Sequence, residues 1–463
     1  LKSDKIQMKS LSRKLGLVEM WMALGHDLGG GLIVNVVYLE GILTPDVVQH
    51  ALKLVQQRHP MLQVYIVESE DELYFQSTGI TEIPVQVIYK QEENEAIKIA
   101  EKELHTKFPP GNNPLCRLTL LYSHQHQNTC EIVITFHHGI VDGISCMRFI
   151  DDLLFYYQQI NEGENISPVE SLEFIPPIET LVNYNISSQN PRENHQLANE
   201  QSTLPPQLII EHQASAKERF TRMLPRMLSQ EKTKILIDKC KQEKTTVHGA
   251  MCAAMLFAAG KLLSIDTQVN FSYGVPVNLR KYCAPEITDQ NLGCFISVLG
   301  FNQLLEPNTS FWDLAKECKS QIHNSLISCV HITRLQQGKL RNLDMDSMKE
   351  LVIKSILSKE DTMARNNLFS ISNRGKFQFR HQAYHLKIKE LYFATPHHIS
   401  GDCFWLGVLT LNDQLFCNFI YVEPVISDRT AQLFADDVMT VIEKVCINPN
   451  STLTMLCESV TQH

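Results

Sequence analysis

Two adjacent histidines, His137 and His138, are followed by an aspartate and a glycine, Asp142 and Gly143, in the stretch HHGIVDG. Imidazole is the side chain best matched to taking and returning a proton near neutral pH, because its ordinary pKa lies in that range. A nearby carboxylate can orient a partner or pair with a cation. Glycine leaves room for close approach of backbone or substrate. Proton transfer at a loop is the chemistry these four residues fit. Imidazole and carboxylate are also zinc ligands. Neighbouring strand residues point to opposite faces, however, so His137 and His138 cannot easily share one ion, and no metal is expected.

The flanking residues must place this loop. EIVITF before the histidines reads as a strand through Ile132, Val133, Ile134 and Phe136. SCMRFIDDLLFYY after them has helical spacing at Met147, Ile150, Leu153, Leu154 and Tyr157. The histidines thus sit where a strand passes into a helix, a place where side chains converge on ligands. Elsewhere, TPDVVQHALKLVQQRHP predicts a helix: Thr44 to cap it, Pro45 in its first turn, and Pro60 to end it near Arg58 and His59. QVNFSYGVPVNLR predicts a half-buried strand, VHGAMCAAMLFAAGKLL a buried core helix, and CFWLGVLTLNDQLFCNFIYVEP two strands turning at Asn412 and Asp413. Residues 186–207, rich in Asn, Gln, Ser and Pro, read as a linker between an α/β unit over 1–185 and another over 208–463, each expected around its own sheet.

Composition narrows the function. The 463 residues carry a net charge of −9, which argues against nucleic acid as a main partner, since phosphate backbones are bound by clustered Lys and Arg. The 13 cysteines are scattered, which reads as reduced thiols and an intracellular setting. The first residues, LKSDKIQMKSLSRKLG, lack the apolar run of a secretory signal, and no segment reads as membrane-spanning. A cytoplasmic monomer is the expectation.

HHGIVDG resembles the HHxxxDG motif of the superfamily of condensation domains and CoA-dependent acyltransferases related to chloramphenicol acetyltransferase. RHPML at 58–62, NPLCRLTLL at 113–121, PVNLRKY at 276–282, SISNRGKF at 370–377 and LGVLTLNDQLFCNFIYVEPVISD at 406–428 resemble further family segments in the expected order. The likeness is nearest in character to free-standing alcohol acetyltransferases and polyketide-associated acyltransferases.

The resemblance implies an α/β fold of two chloramphenicol-acetyltransferase-like domains in a V-shaped pseudo-dimer, with an active-site tunnel between them. It makes His138 the catalytic histidine and His137 a structural one. Asp142 would pair with an arginine, for which Arg280 is the candidate, and Gly143 would leave room in the tunnel. The implied activity is acyl transfer from a thioester, acyl-CoA or a phosphopantetheine-bound acyl carrier protein, to a small alcohol or amine, with no covalent acyl-enzyme and no permanently bound cofactor. Such a reaction needs a general base and a donor to the carbonyl oxygen. Ser372 and Asn373 are candidates for the second task, or for binding substrate. Arg374, Lys376 and Arg380 form a basic cluster that could meet donor phosphates, or could be a solvated strand face. The other class of function in play is a noncatalytic binding or carrier-docking module. A second histidine pair, His397 and His398, lacks an aspartate at the motif's spacing and reads as a loop.

Overall fold

The computed structural model describes residues 11–126, 128–182, 204–332, 345–357, 359–380 and 386–458. In chain order its strands are β1 (Ser12–Lys14), β2 (Leu32–Glu40), β3 (Tyr65–Ser69), β4 (Glu72–Gln76), β5 (Val85–Lys90), β6 (Cys116–Ser123) and β7 (Thr129–His137). They continue with β8 (Phe220–Leu228), β9 (Val269–Asn278), β10 (Ile296–Leu305), β11 (Phe369–Phe377), β12 (Lys387–Ala394), β13 (Phe404–Leu411) and β14 (Gln414–Glu423). Four helices bear most on the site: α1 (Leu17–Asp27), α2 (Pro45–Arg58), α3 (Glu95–Glu103) and α4 (Gly143–Asn161).

Local chemistry sets many of these boundaries. Helix α2 starts with Pro45 at its first position after Thr44 and stops at Arg58, before Pro60. The turn between β13 and β14 is made by Asn412 and Asp413, both at positive φ, which these two residue types tolerate better than most. Helix Val247–Leu262 is buried without a break from Gly249 to Gly260, and the Thr246 hydroxyl caps its start by accepting from the Gly249 N–H. Strand β9 departs from expectation. Residues 270–275 are all buried, so both of its faces are covered and not one. It lies inside a six-stranded sheet between β10 and β11.

The chain forms mixed α/β structure around three sheets. A five-stranded sheet has the order β12-β2-β7-β6-β5, a six-stranded sheet the order β10-β9-β11-β13-β14-β8, and a small sheet the order β1-β4-β3. The first of these corrects the expectation that each half builds its own sheet. Strand β12 belongs to the second half of the sequence, yet it completes the sheet of the first by pairing antiparallel with β2, Ala394 opposite Val34 and Leu391 opposite Val37. One apolar core runs across as well: Trp405, Leu409 and Phe416 share a cluster with Val34, Ile132 and Phe149. The expected linker falls, over 186–203, outside the described residues.

Strand β11 connects the two halves at the site. It pairs with β9 at only two positions, Phe369 with Tyr273 and Ser370 with Gly274, and then diverges. Its pairing with β13 shifts register between Asn373 and Lys376, around Gly375 at a φ of 74°. A bulge of this kind re-aims a strand. Here it leaves Arg374 and Gly375 outside the ladder, while Ser372 and Asn373 still pair with Gly407 and Val408.

Candidate active site

The loop 138–142 joins β7 to α4 and is fixed from several sides. The His138 N–H donates to the Gly31 carbonyl at 2.7 Å, and the Ile140 N–H donates to the His137 carbonyl at 3.1 Å. Asp142 caps α4 by accepting from the Ser145 N–H at 2.9 Å. The two histidines diverge, as strand alternation requires. His137 is buried against His26, with ring centroids 4.8 Å apart, and its Nδ1 accepts from the Gly139 N–H at 2.9 Å. Burial holds its pKa well below the imidazole range, so it is a neutral packing element.

His138 faces a cavity of about 360 Å³. Its Nδ1 lies 3.0 Å from the Val141 carbonyl, and since a carbonyl can only accept, Nδ1 carries the proton. Nε2 therefore holds the lone pair. Burial lowers the His138 pKa, and Arg374 pushes in the same direction against the Val141 carbonyl and Asp142. The neutral imidazole is the form a general base requires. On the Nδ1 side lies Cys294, its sulfur 3.7 Å away. Burial raises that thiol's pKa well above its ordinary value, which keeps it protonated.

Asp142 and Arg280 come together in the interior. Arg280 makes a bidentate pair, Nη1 to Oδ2 at 2.6 Å and Nη2 to Oδ1 at 3.1 Å. The same carboxylate accepts from the Ser145 hydroxyl at 2.9 Å and the Phe295 N–H at 3.1 Å. Burial alone would raise the Asp142 pKa. Arg280 and the Ser145 bonds outweigh it and hold the carboxyl below its usual range. Each side chain is the other's charged partner in the interior.

The family model "Condensation domain" matches residues 33–458 of this chain. The chain belongs to the condensation-domain family. A linear gramicidin synthase protein from Brevibacillus parabrevis is 24% identical over 316 residues, which is 63% of this chain and 4% of that protein. This condensation-family chain thus spans a small part of the length of its curated relative. Among solved structures, polyketide synthase associated protein 5 from Mycobacterium tuberculosis superposes with a TM-score of 0.67 at 15% identity, covering 94% of this chain and 98% of that one. Trichothecene 15-O-acetyltransferase from Fusarium sporotrichioides superposes with a TM-score of 0.69 at 12% identity, covering 94% and 95%. At these identities the likeness is one of fold.

The cavity of this condensation-family site is lined from both halves of the sequence. Met22, Leu32, Ile33, His138 and Gly143 come from the first, and Pro276, Ile296, Ser370, Ser372, Arg374 and Trp405 from the second. Asn373 is not among them. It faces the opposite side of β11 and lines a separate cavity of about 750 Å³ with Arg280, Lys281 and His248. Its Oδ1 accepts from the Gly375 N–H at 2.8 Å. The expected pair of Ser372 and Asn373 is thus divided between two cavities, and Pro276 lines both.

The basic cluster expected on β11 does not form either. Arg374 is buried, with its guanidinium carbon 3.6 Å from the Phe393 ring centroid and its Nη1 donating to Asn35 Oδ1 at 2.7 Å. Arg380 is held by two acidic residues of α4, donating to Asp151 at 2.6 Å and to Asp152. Lys376 is exposed and pairs with Asp413 at 2.7 Å. The three cations point three ways, which removes the geometric basis for one phosphate site.

Several residues of the site were not signalled by sequence. Asn35, which holds Arg374, and Asp402, which lines the cavity, come from positions with no motif around them, and His397, read only as a loop residue, lines the cavity too. His397 and His398 do lie in a loop, as expected, but a buried one. The Thr221 hydroxyl accepts from both of their N–H groups at 3.1 Å, and His398 stacks on His105 with centroids 3.9 Å apart.

Proposed function

We propose that the chain transfers an acyl group from a thioester, acyl-CoA or acyl-phosphopantetheine on a carrier protein, to a hydroxyl or amine, with His138 as general base. The observation that carries this reading is the His138 ring, protonated on Nδ1 by its bond to Val141 and facing a cavity lined from both halves. In the proposed step Nε2 accepts the acceptor's proton as its oxygen or nitrogen attacks the thioester carbonyl. The tetrahedral oxyanion collapses, the carbon–sulfur bond breaks, and the imidazolium returns the proton to the departing thiolate. A positioned base of this kind supplies about 10²- to 10⁴-fold. Among the cavity hydroxyls, Ser372 is the one offered as donor to the oxyanion. The two cavities on either side of β11 would give donor and acceptor separate approaches, in the manner of the interdomain tunnel expected from the family.

Incubating the protein with acyl-CoAs and acyl-carrier proteins, plus alcohol and amine acceptors, and following ester or amide by mass spectrometry tests the reading. Product formation that depends on His138 is the expected result. Its absence over a broad panel would leave a noncatalytic binding module.

A further inference from the structure

Arg374 is 8% exposed, yet none of the described aspartates or glutamates forms an ion pair with it. The groups it touches are neutral: Asn35 Oδ1 at 2.7 Å, the Met147 sulfur at 3.6 Å, the Cys146 thiol and the Phe393 ring, while Asp142 acts on it electrostatically but is paired with Arg280. Its Nε is buried with no hydrogen-bond partner. A buried cation is normally paired, because desolvating an unpaired charge costs several kcal/mol. Gly143 packs directly against this side chain: a Cβ there would stand 3.1 Å from Nε and 3.3 Å from Cγ, so the glycine makes room for Arg374 at the start of α4. Gly143, Arg374 and His138 line the same cavity.

We propose that Arg374 is a specificity determinant, binding a carboxylate on the acyl acceptor and holding the acceptor's nucleophile toward His138. The inference rests on the acyl-transfer reading and adds the class of acceptor: a small hydroxy or amino acid with an apolar body. The neighbouring walls supply the rest of the fit. Leu32, Ile33, Ile296, Val298 and Trp405 are apolar. Asp402 also lines the cavity, but its Oδ1 accepts from Asn367 at 2.8 Å and Arg365 is the cation acting on it, so it does not neutralise Arg374. A guanidinium already ordered by Asn35 and Phe393 binds a carboxylate through charge-assisted hydrogen bonds with little further loss of freedom. Burial lowers the Arg374 pKa to about 10, which leaves it a cation at neutral pH.

The test compares hydroxy and amino acids, such as 2-hydroxyisocaproate, phenyllactate, leucine and phenylalanine, each with its primary amide. Turnover with an acyl-CoA panel is measured for wild type, Arg374→Gln and Arg374→Lys. Binding of the same pairs to His138→Ala is measured by saturation-transfer NMR. Wild type should prefer acid over amide by at least about tenfold, a preference erased in Arg374→Gln and partly kept in Arg374→Lys. Taking each variant's acid-to-amide ratio removes the intrinsic difference in nucleophilicity. Equal ratios in wild type and Arg374→Gln, or no binding of either member of any pair, would overturn the proposal. Should Arg374→Gln not fold, the acid preference of His138→Ala and its persistence in Arg374→Lys decide the matter. Acid-selective binding without turnover would count against acyl transfer and leave the anion site standing.

Discussion

Asp142 and Arg280, 138 residues apart in sequence, form a bidentate ion pair in the interior, with each side chain almost fully buried. The pair ties the start of α4 to the residues just past β9, and so ties the His138 loop to the second half of the chain. Asp142 also caps α4. Removing either partner strands a charge, which typically costs about 3–5 kcal/mol. Asp142→Ala and Arg280→Ala should each lower the denaturation midpoint and soluble yield. The double variant should lose much less than the sum of the two, because each single change already abolishes the pair. Strictly additive losses in chemical denaturation would mean that the pair contributes no coupling.

The division of labour between the histidines gives a second expectation. His138→Ala should reduce transfer by at least about a hundredfold with little change in the folded baseline, since it removes the base and little packing. His137→Ala leaves a hole against His26 and should act mainly on stability. Because burial depresses the His138 pKa, its neutral form persists below the ordinary value of 6.5, and the acid limb of the rate profile should fall on the low side of that pH. Steady-state rates and melting curves on both variants check this, and a rate limb centred above 6.5 would contradict it.

Much of this was legible because the signals are local. Pro45 and Pro60 bound α2, Asn412 and Asp413 accept positive φ, and the histidine motif sits between an unbroken apolar run and a helical period. The alternation that parts His137 from His138 also parts Ser372 from Asn373, a signal that the expected pairing of those two overlooked. Two features were not. KIKELYFA carries the apolar pattern of a strand, but nothing local says that its partner is β2, some 350 residues earlier in the chain. Arg374 stands in a run with Lys376 and Arg380, and a charge in such a run ordinarily reads as solvent-facing. It is buried against Asn35, Met147 and Phe393, neighbours that only the tertiary fold brings to it.

The crossing of β12 yields a third expectation. A fragment of residues 1–190 would present β2, with Val34, Val36 and Val37 fully buried in the whole chain, as an open edge. Unpaired apolar edges aggregate. The fragment would also deprive Glu101 of α3 of its partners, the Met223 N–H and Arg222, both at 2.9 Å. Expressed alone, it should be insoluble. Co-expressed with residues 207–463 it should be recovered as a complex, and only that complex should transfer acyl groups. A soluble, monomeric 1–190 fragment with a cooperative melt would show that β12 is dispensable.

Acid should destabilise the fold through its buried histidines. His105 and His398 stack across the two halves, and His26 packs on His137. Burial depresses all of these, His26 and His105 to about 4 and His398 to about 3. His397 is likewise lowered to about 3. Unfolded, each would take a proton near 6.5, so below that pH the unfolded state binds more protons than the native one. Stability should therefore be full above about 6.5 and fall with decreasing pH, by up to about 1.4 kcal/mol per pH unit for each proton withheld. Asp27, Glu101, Glu131, Glu179 and Asp402 have raised pKa values and oppose this as the pH falls through them, so the histidine share is read from the difference between wild type and histidine variants. Denaturant midpoints measured from pH 7.5 to 5 should fall steadily. His105→Gln and His398→Gln should each flatten the slope, because each removes one group that the native state keeps neutral. A midpoint independent of pH over that range would mean that these rings protonate without opening the structure.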